Sequence, residues 1–149
     1  MTALDVGRAQ LHESLARDPR VVSMERTNFR LVDVDDPGAP FLVVVADLSF
    51  ISLCTVAGKL AAACVDGGDL VLLVKPQFEA GKGQVGRGGV VGDQTIRDRA
   101  VRQVIGCLGE VGLGAVGLIR SPIEGRDGNV EYLLWLRKGE PGLGLEVPA

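Results

Sequence analysis

Short runs of β-branched and aliphatic residues alternate along the chain with amphipathic stretches, the pattern of βα units that build a mostly parallel sheet. Residues 21–24, 41–46, 70–74, 115–119 and 130–136 read as strands, and residues 3–6 as a further stub. Residues 8–17 read as a helix that stops before Pro19. Residues 51–64 space Ile51, Leu53, Val56, Leu60 and Cys64 along one buried face before Gly67 and Gly68 end the element. A third helix is the most fully marked. Asp93 can cap its start, Thr95 and Asp98 have capping-box spacing, and Ile96, Ala100, Val104, Cys107 or Leu108, and Val111 form a stripe that ends at Gly112.

The runs 41–46 and 70–74 are apolar on both faces, which predicts central strands covered by helices on each side. The final pair differs. The nine residues from Ser121 to Asn129 are turn chemistry and leave no room for a helical crossover, so the last two strands are expected to pair as an antiparallel hairpin.

In an open α/β sheet, ligands lie at the carboxyl edge of the parallel strands, where loops and helix N-termini gather. Asp47 directly follows the run 41–46 and Lys75 directly follows the run 70–74, so both charges emerge at that edge. The hairpin turns the amino end of the last strand to the same edge and brings Glu131 with it. One amine and two carboxylates from distant stretches thus converge. Such a set suits polarisation or deprotonation of a weakly acidic hydroxyl, the work needed for methyl transfer to a ribose 2′-OH.

Composition bounds the rest. A chain of 149 residues with 46% hydrophobic and 23% charged residues is enough for one domain with one core, here expected over residues 1–138 with a flexible Gly- and Pro-rich tail at 139–149. Net charge is −3, an awkward balance for holding a polyanion, yet the stretch from Lys75 to Arg102 carries six cations against three anions. Six of the 21 glycines fall between Gly81 and Gly92, so a mobile or ligand-wrapping loop sits in that basic stretch; the stretch either tracks phosphates, with Lys82 and Arg87 as candidate RNA contacts, or forms a solvated helix face. Cys54, Cys64 and Cys107 form no C-x-x-C pair and read as small buried hydrophobes, with no metal site expected. With no apolar signal region in the first twenty residues and no membrane-length apolar run, the expectation is a cytoplasmic protein without a membrane span.

Four ordered motifs resemble a known family. Val44-Val-Ala-Asp-Leu-Ser-Phe-Ile-Ser-Leu53, Leu73-Val-Lys-Pro-Gln-Phe-Glu79, Gly81-Lys-Gly-Gln-Val-Gly86 followed by Gly88-Gly-Val-Val91, and Gly128-Asn-Val-Glu-Tyr-Leu-Leu-Trp135 are similar to the TlyA (haemolysin A) branch of the FtsJ-like methyltransferases. The resemblance implies a Rossmann-like fold that uses S-adenosylmethionine to methylate ribosomal RNA ribose, alone or in a ribosomal subunit. It implies that Asp47, Lys75 and Glu131 are three members of a Lys-Asp-Lys-Glu catalytic tetrad, and that Asp5, Asn28 and again Asp47 lie around the cofactor. The departure is at the start. The family's first tetrad Lys, its first and central strand with a Gly-rich cofactor loop, and a small RNA-binding domain have no counterpart before Asp5, so a partial domain with weak or no activity of its own is expected.

Competing motifs are weaker. Gly81 to Gly86 fits the dinucleotide pattern G-x-G-x-x-G, but more loop follows where a helix should open. His12 reads as a surface residue, and Tyr132 and Trp135 as core packing more than base stacking. The alternative to an enzyme is a non-catalytic RNA-binding or interaction module built on this fold; no basic amphipathic helix supports membrane lysis.

Overall fold

The computed structural model describes residues 1–149 apart from Asp36, Pro37, Lys82 and Arg87, so the two candidate RNA contacts lie outside the described residues. Among the described residues six strands form: β1 (Thr2–Leu4), β2 (Val22–Met24), β3 (Phe41–Ala46), β4 (Cys64–Val74), β5 (Leu113–Arg120) and β6 (Tyr132–Lys138). The helices are α1 (Glu13–Ala16), α2 (Leu53–Ala63), α3 (Pro76–Glu79) and α4 (Gln94–Gly109). β1 and β2 pair in parallel as one small sheet, and the other strands form a four-stranded sheet in the order β3-β4-β6-β5.

Within that sheet β3 and β4 are parallel, and β6 runs antiparallel to both β4 and β5. The expected hairpin is therefore present, with Ile119 opposite Leu133 and Arg120 opposite Tyr132. β3, β4 and β5 end at one edge, and β6 begins there.

The core lies between the sheet and two helices. Leu53, Val56 and Leu60 of α2 and Val101, Val104 and Leu108 of α4 pack against Leu70, Leu72 and Val74 of β4 and Leu134 and Leu136 of β6. Each such side chain contributes about 1.5–3 kcal/mol by leaving water. Ser52 caps α2 through the Cys54 amide, and Asp93 caps α4 through the Thr95 amide at 2.8 Å. The capping-box partner expected for Thr95 does something else: Asp98 accepts from the Gln94 side chain.

Four expectations are corrected. The helix at 8–17 shrinks to the single turn of α1, capped by His12, because Gly7 and the positive φ of Ala9 hold the preceding residues in an irregular loop. β4 starts at Cys64, well before Leu70, and Gly67 with φ +76° and a register shift between Phe41 and Val43 let it bulge. Both large helices pack on one face of the sheet, so β3 is an uncovered edge with Leu42 76% and Val45 75% exposed. Finally, Cys54 and Cys107 form a disulfide that ties α2 to α4 across a Cα–Cα distance of 5.6 Å, while Cys64 stays free and buried.

Residues 139–149 form no helix or strand but run beside β5. Leu143 donates its amide to the Ala115 carbonyl at 2.8 Å, and Leu145 and Val147 pack against the core. Tyr132 is fully buried; Trp135, by contrast, is half-exposed, donating Nε1–H to Asp69 at 2.8 Å with Arg137 over its ring.

Candidate active site

The carboxyl edge of the sheet gathers the three charged residues expected there. Asp47 leaves β3, Lys75 leaves β4, and Glu131 immediately precedes β6. Lys75 Nζ lies 2.5 Å from Asp47 Oδ1 and donates to Ser49 Oγ at 3.1 Å. The Lys75 side chain is only 12% exposed, whereas that of Asp47 is 67% exposed, so the amine sits in the wall and its partner faces solvent. Because Val74 pairs with Tyr132 in the antiparallel ladder, Lys75 and Glu131 fall opposite one another one step beyond it. The sheet thus brings all three to one lip.

Glu131 is 6% exposed and needs partners there. Gln77 Nε2 donates to its Oε1 at 2.8 Å, and the Gln77 side-chain oxygen Oε1 is itself buried without a hydrogen-bond partner among the described residues. Gly125 of the hairpin loop lies so close that a Cβ there would stand 2.2 Å from Glu131 Oε1. Asn129 fastens the same loop to the Gly-rich segment: it accepts from the Val91 amide at 3.1 Å and donates to the Gly89 and Arg126 carbonyls.

A second buried carboxylate braces the site from behind. Glu79, at the end of α3, accepts from Ser52 Oγ at 2.6 Å and from the Leu53 amide at 2.8 Å, fixing the start of α2 to the turn that follows Lys75. Burial raises the Glu79 carboxyl above its ordinary value, and the hydrogen bonds from Ser52 and Leu53 oppose the shift. At the rim, Phe50 is 86% exposed with φ +61° and stands tilted against Phe78, ring centroids 4.9 Å apart.

The cofactor candidates lie on the small sheet. Asp5 follows β1, and its Oδ1 accepts the Gly7 amide at 2.6 Å beside a hollow of about 150 Å³ bordered by Gln10, Leu11 and Glu25. A Cβ at Gly7 would meet both that oxygen and the Gln10 side chain, so glycine is what lets the chain close over the carboxylate. An exposed acidic group in a sugar-sized hollow fits the hydroxyls of a ribose. Asn28 is exposed and accepts the Arg30 amide at 2.9 Å, and the neighbouring Thr27 amide donates to the Asp5 carbonyl, which keeps the two candidates on adjoining turns. The structure does not join either of them to Asp47 by a hydrogen bond among the described residues.

Gln77, Glu79, Ser49, Gly125, Asn129 and Phe50 were not singled out from the sequence. Pro76 carried the available signal: a proline directly after Lys75 marks the first position of a helix, and one turn of it returns residues 77 and 79 to the edge.

Comparison with known proteins then fixes the family. The model of the FtsJ-like methyltransferases matches residues 1–138. The chain belongs to that family. Over 137 residues it is 53% identical to the 16S/23S rRNA (cytidine-2′-O)-methyltransferase TlyA of Mycobacterium tuberculosis, covering 92% of this chain and 51% of that protein. It is 44% identical to YqxC of Bacillus subtilis, covering 98% of this chain and 53% of YqxC. Among solved structures, one described as "Putative hemolysin from Streptococcus thermophilus" superposes with a TM-score of 0.88 at 41% identity, over 95% of this chain and 51% of that one. The chain therefore spans about half the length of the curated relatives it matches. The FtsJ-like fold agrees with the α/β architecture and the terminal hairpin read from the sequence. Among the described residues no helix is long and apolar enough to cross a membrane, and no cluster of three metal-ligating side chains occurs.

Proposed function

We propose that this chain is the catalytic part of an enzyme that methylates the ribose 2′-hydroxyl of ribosomal RNA, with S-adenosylmethionine as methyl donor. The observation that carries the reading is the lip of the sheet, where Lys75 Nζ is held 2.5 Å from Asp47 and the backbone register sets residue 75 across from residue 131. S-adenosylmethionine supplies a methyl group already activated for displacement. What the protein must add is an oriented oxygen, a positive charge beside it, and a carboxylate, Asp47 or Glu131, to take the proton that the oxygen gives up.

Lys75 is the group for the first two tasks, since its amine is pinned by Asp47 and Ser49 at a fixed point in a largely buried wall. Asp47 orients the amine and borders the methyl donor. Glu131, set by Gln77 and walled by Gly125, receives the hydroxyl from the opposite side. Asp5 and Asn28 hold the ribose and adenine parts of the cofactor. The exposed ring of Phe50 offers a stacking surface for an unpaired base, and Lys82 and Arg87, outside the described residues, are the candidate contacts to RNA phosphate. Action on ribosomal RNA or a ribosomal subunit assigns the work to the cytoplasm.

The test is methyl transfer from labelled S-adenosylmethionine to bacterial ribosomal RNA by this chain joined to the half of the Mycobacterium tuberculosis relative that it does not align with, scored as alkali-resistant ribose methylation, alongside calorimetric binding of the cofactor. Lys75→Ala is expected to lower transfer by about 100-fold or more while cofactor affinity stays within about twofold. Transfer retained in that variant would exclude Lys75 from the chemistry.

A further inference from the structure

The segment between β3 and α2 carries most of what holds Lys75. Asp47 and Ser49 meet its amine, and Ser52 Oγ with the Leu53 amide holds Glu79, one turn of α3 beyond it. The next residue is Cys54, whose sulfur is joined to Cys107 in the last turn of α4. The segment is thus anchored at one end by the β3–β4 ladder, where Ala46 pairs with Leu72, and at the other by a covalent bond. Between those anchors it has little packing of its own. The Asp47 side chain is largely exposed, and Phe50 is exposed with a left-handed backbone, a conformation that persists only where its surroundings enforce it.

The bond is not what makes the two helices pack. Leu53, Val56 and Leu60 already meet Val101, Val104 and Leu108 in the core, all of them buried, whereas domains that depend on disulfides are those too small to build such a core. Cys54 and Cys107 stand at the margin of this interface, each half-buried, while Cys64 is fully buried. A small thiol can reach the pair and not the third cysteine. Where thiols are kept reduced, a disulfide is as a rule transient or redox-sensing, not a permanent staple.

We infer that Cys54 and Cys107 form a reversible oxidation site whose co-reactant is a low-molecular-weight thiol or its disulfide, and that closing the bond stiffens the 47–53 segment and speeds the reaction at Lys75. The effect on rate rests on the catalytic reading above; the site itself does not. In the opening direction a small thiolate attacks one sulfur of the pair, the S–S bond breaks, and the displaced sulfur leaves as a thiolate that takes up a proton. A second small thiolate attacks the small-molecule sulfur of the mixed disulfide and frees the remaining cysteine. Two electrons and two protons pass from two small thiols to the pair, and one small disulfide is released. Closing is the reverse.

For the test, the chain is equilibrated in mixtures of reduced and oxidised glutathione, and its free thiols are alkylated and counted by mass spectrometry. Cys54 and Cys107 should pass together from free to bonded across the series, with Cys64 unlabelled in the folded chain. Amide exchange at residues 53–55, whose N–H groups bond Glu79 and Ser52, should be about tenfold faster in the reduced chain. In the protein joined to the unaligned half of the Mycobacterium tuberculosis relative, reduction should lower methyl transfer about tenfold with cofactor affinity within about twofold, and a double variant, Cys54→Ala with Cys107→Ala, should sit at the reduced rate in every mixture. Val104→Ala weakens the same helix pair with the bond intact and should keep transfer within about threefold of the unaltered protein; a loss as large as that of reduction would assign the effect to stability and overturn the coupling. The inference also fails if the pair stays bonded or stays free across the whole series, if exchange at 53–55 is equal in both states, or if transfer is equal in both. Should the joined protein transfer no methyl group in any mixture, the catalytic reading fails, and the thiol count with amide exchange still decides the site.

Discussion

Gly125→Ala is the sharpest test of the site, because it moves a carboxylate without touching its chemistry. Gly125 has φ −71°, a backbone that alanine adopts freely, so the substitution brings no strain of its own. The new Cβ would stand 2.2 Å from Glu131 Oε1 and 2.5 Å from Cδ, against about 3.4 Å for ordinary contact, so the carboxylate must retreat by more than 1 Å. Retreat also stretches the 2.8 Å hydrogen bond from Gln77. A displacement of ~1 Å in a positioned group costs on the order of 100-fold in rate, or about 2.7 kcal/mol of transition-state stabilisation. The assay is single-turnover methyl transfer to ribosomal RNA by the same joined protein, with thermal unfolding measured on the same samples. The predicted result is a drop of about 100-fold in Gly125→Ala that adds nothing further in a Glu131→Ala background, since both changes act through one carboxylate. If Gly125→Ala stays within about threefold of the unaltered chain, Glu131 does not work by position.

Three further outcomes follow from features around the site. The raised Glu79 carboxyl binds its proton more tightly folded than unfolded, so its contribution to stability is full below the ordinary value of 4.5 and fades as pH rises through the folded value; Glu79→Gln should flatten the slope of melting temperature against pH in that window. Reduction of Cys54–Cys107, which closes a 53-residue separation, should lower stability by up to about 4 kcal/mol, read from urea unfolding with and without dithiothreitol. Phe50→Gly should raise the melting temperature by relieving the φ of +61° while weakening RNA binding by about 1–3 kcal/mol in filter binding, and equal RNA affinity would take Phe50 out of the interface.

Strand direction was what the sequence displayed best. Asp47, Lys75 and Glu131 could be placed at one edge because each abuts an aliphatic run, and the nine-residue turn dictated the sense of the last strand. Side-chain partners were not legible, because Gln77 and Glu131 are 54 residues apart and meet through pairing of β4 with β6. The reading of β3 as a covered central strand failed for a related reason. Composition reports what a strand can bury, not what stands beside it, and here both helices chose the face of Leu70 and Leu72. The disulfide was hidden in the same way: Cys54 and Cys107 lie on different helices, and their approach depends on how α2 and α4 cross. The helix at 8–17 was lost to local backbone, with glycine at 7 and a left-handed Ala9 just ahead of α1.

The segment after β6 has a practical corollary. Gly114 has no side chain where the Glu140 carbonyl passes; a Cβ there would stand 2.1 Å from that oxygen, so the strand's backbone is what the segment lies against. From there the chain travels along β5 until the Ala149 carbonyl comes within 3.5 Å of Arg120, the last residue of β5 and a neighbour in register of Tyr132. Any group attached at Ala149 is therefore delivered to the same lip of the sheet. A reporter attached there would crowd an incoming RNA, whereas a crosslinker attached there would sample it.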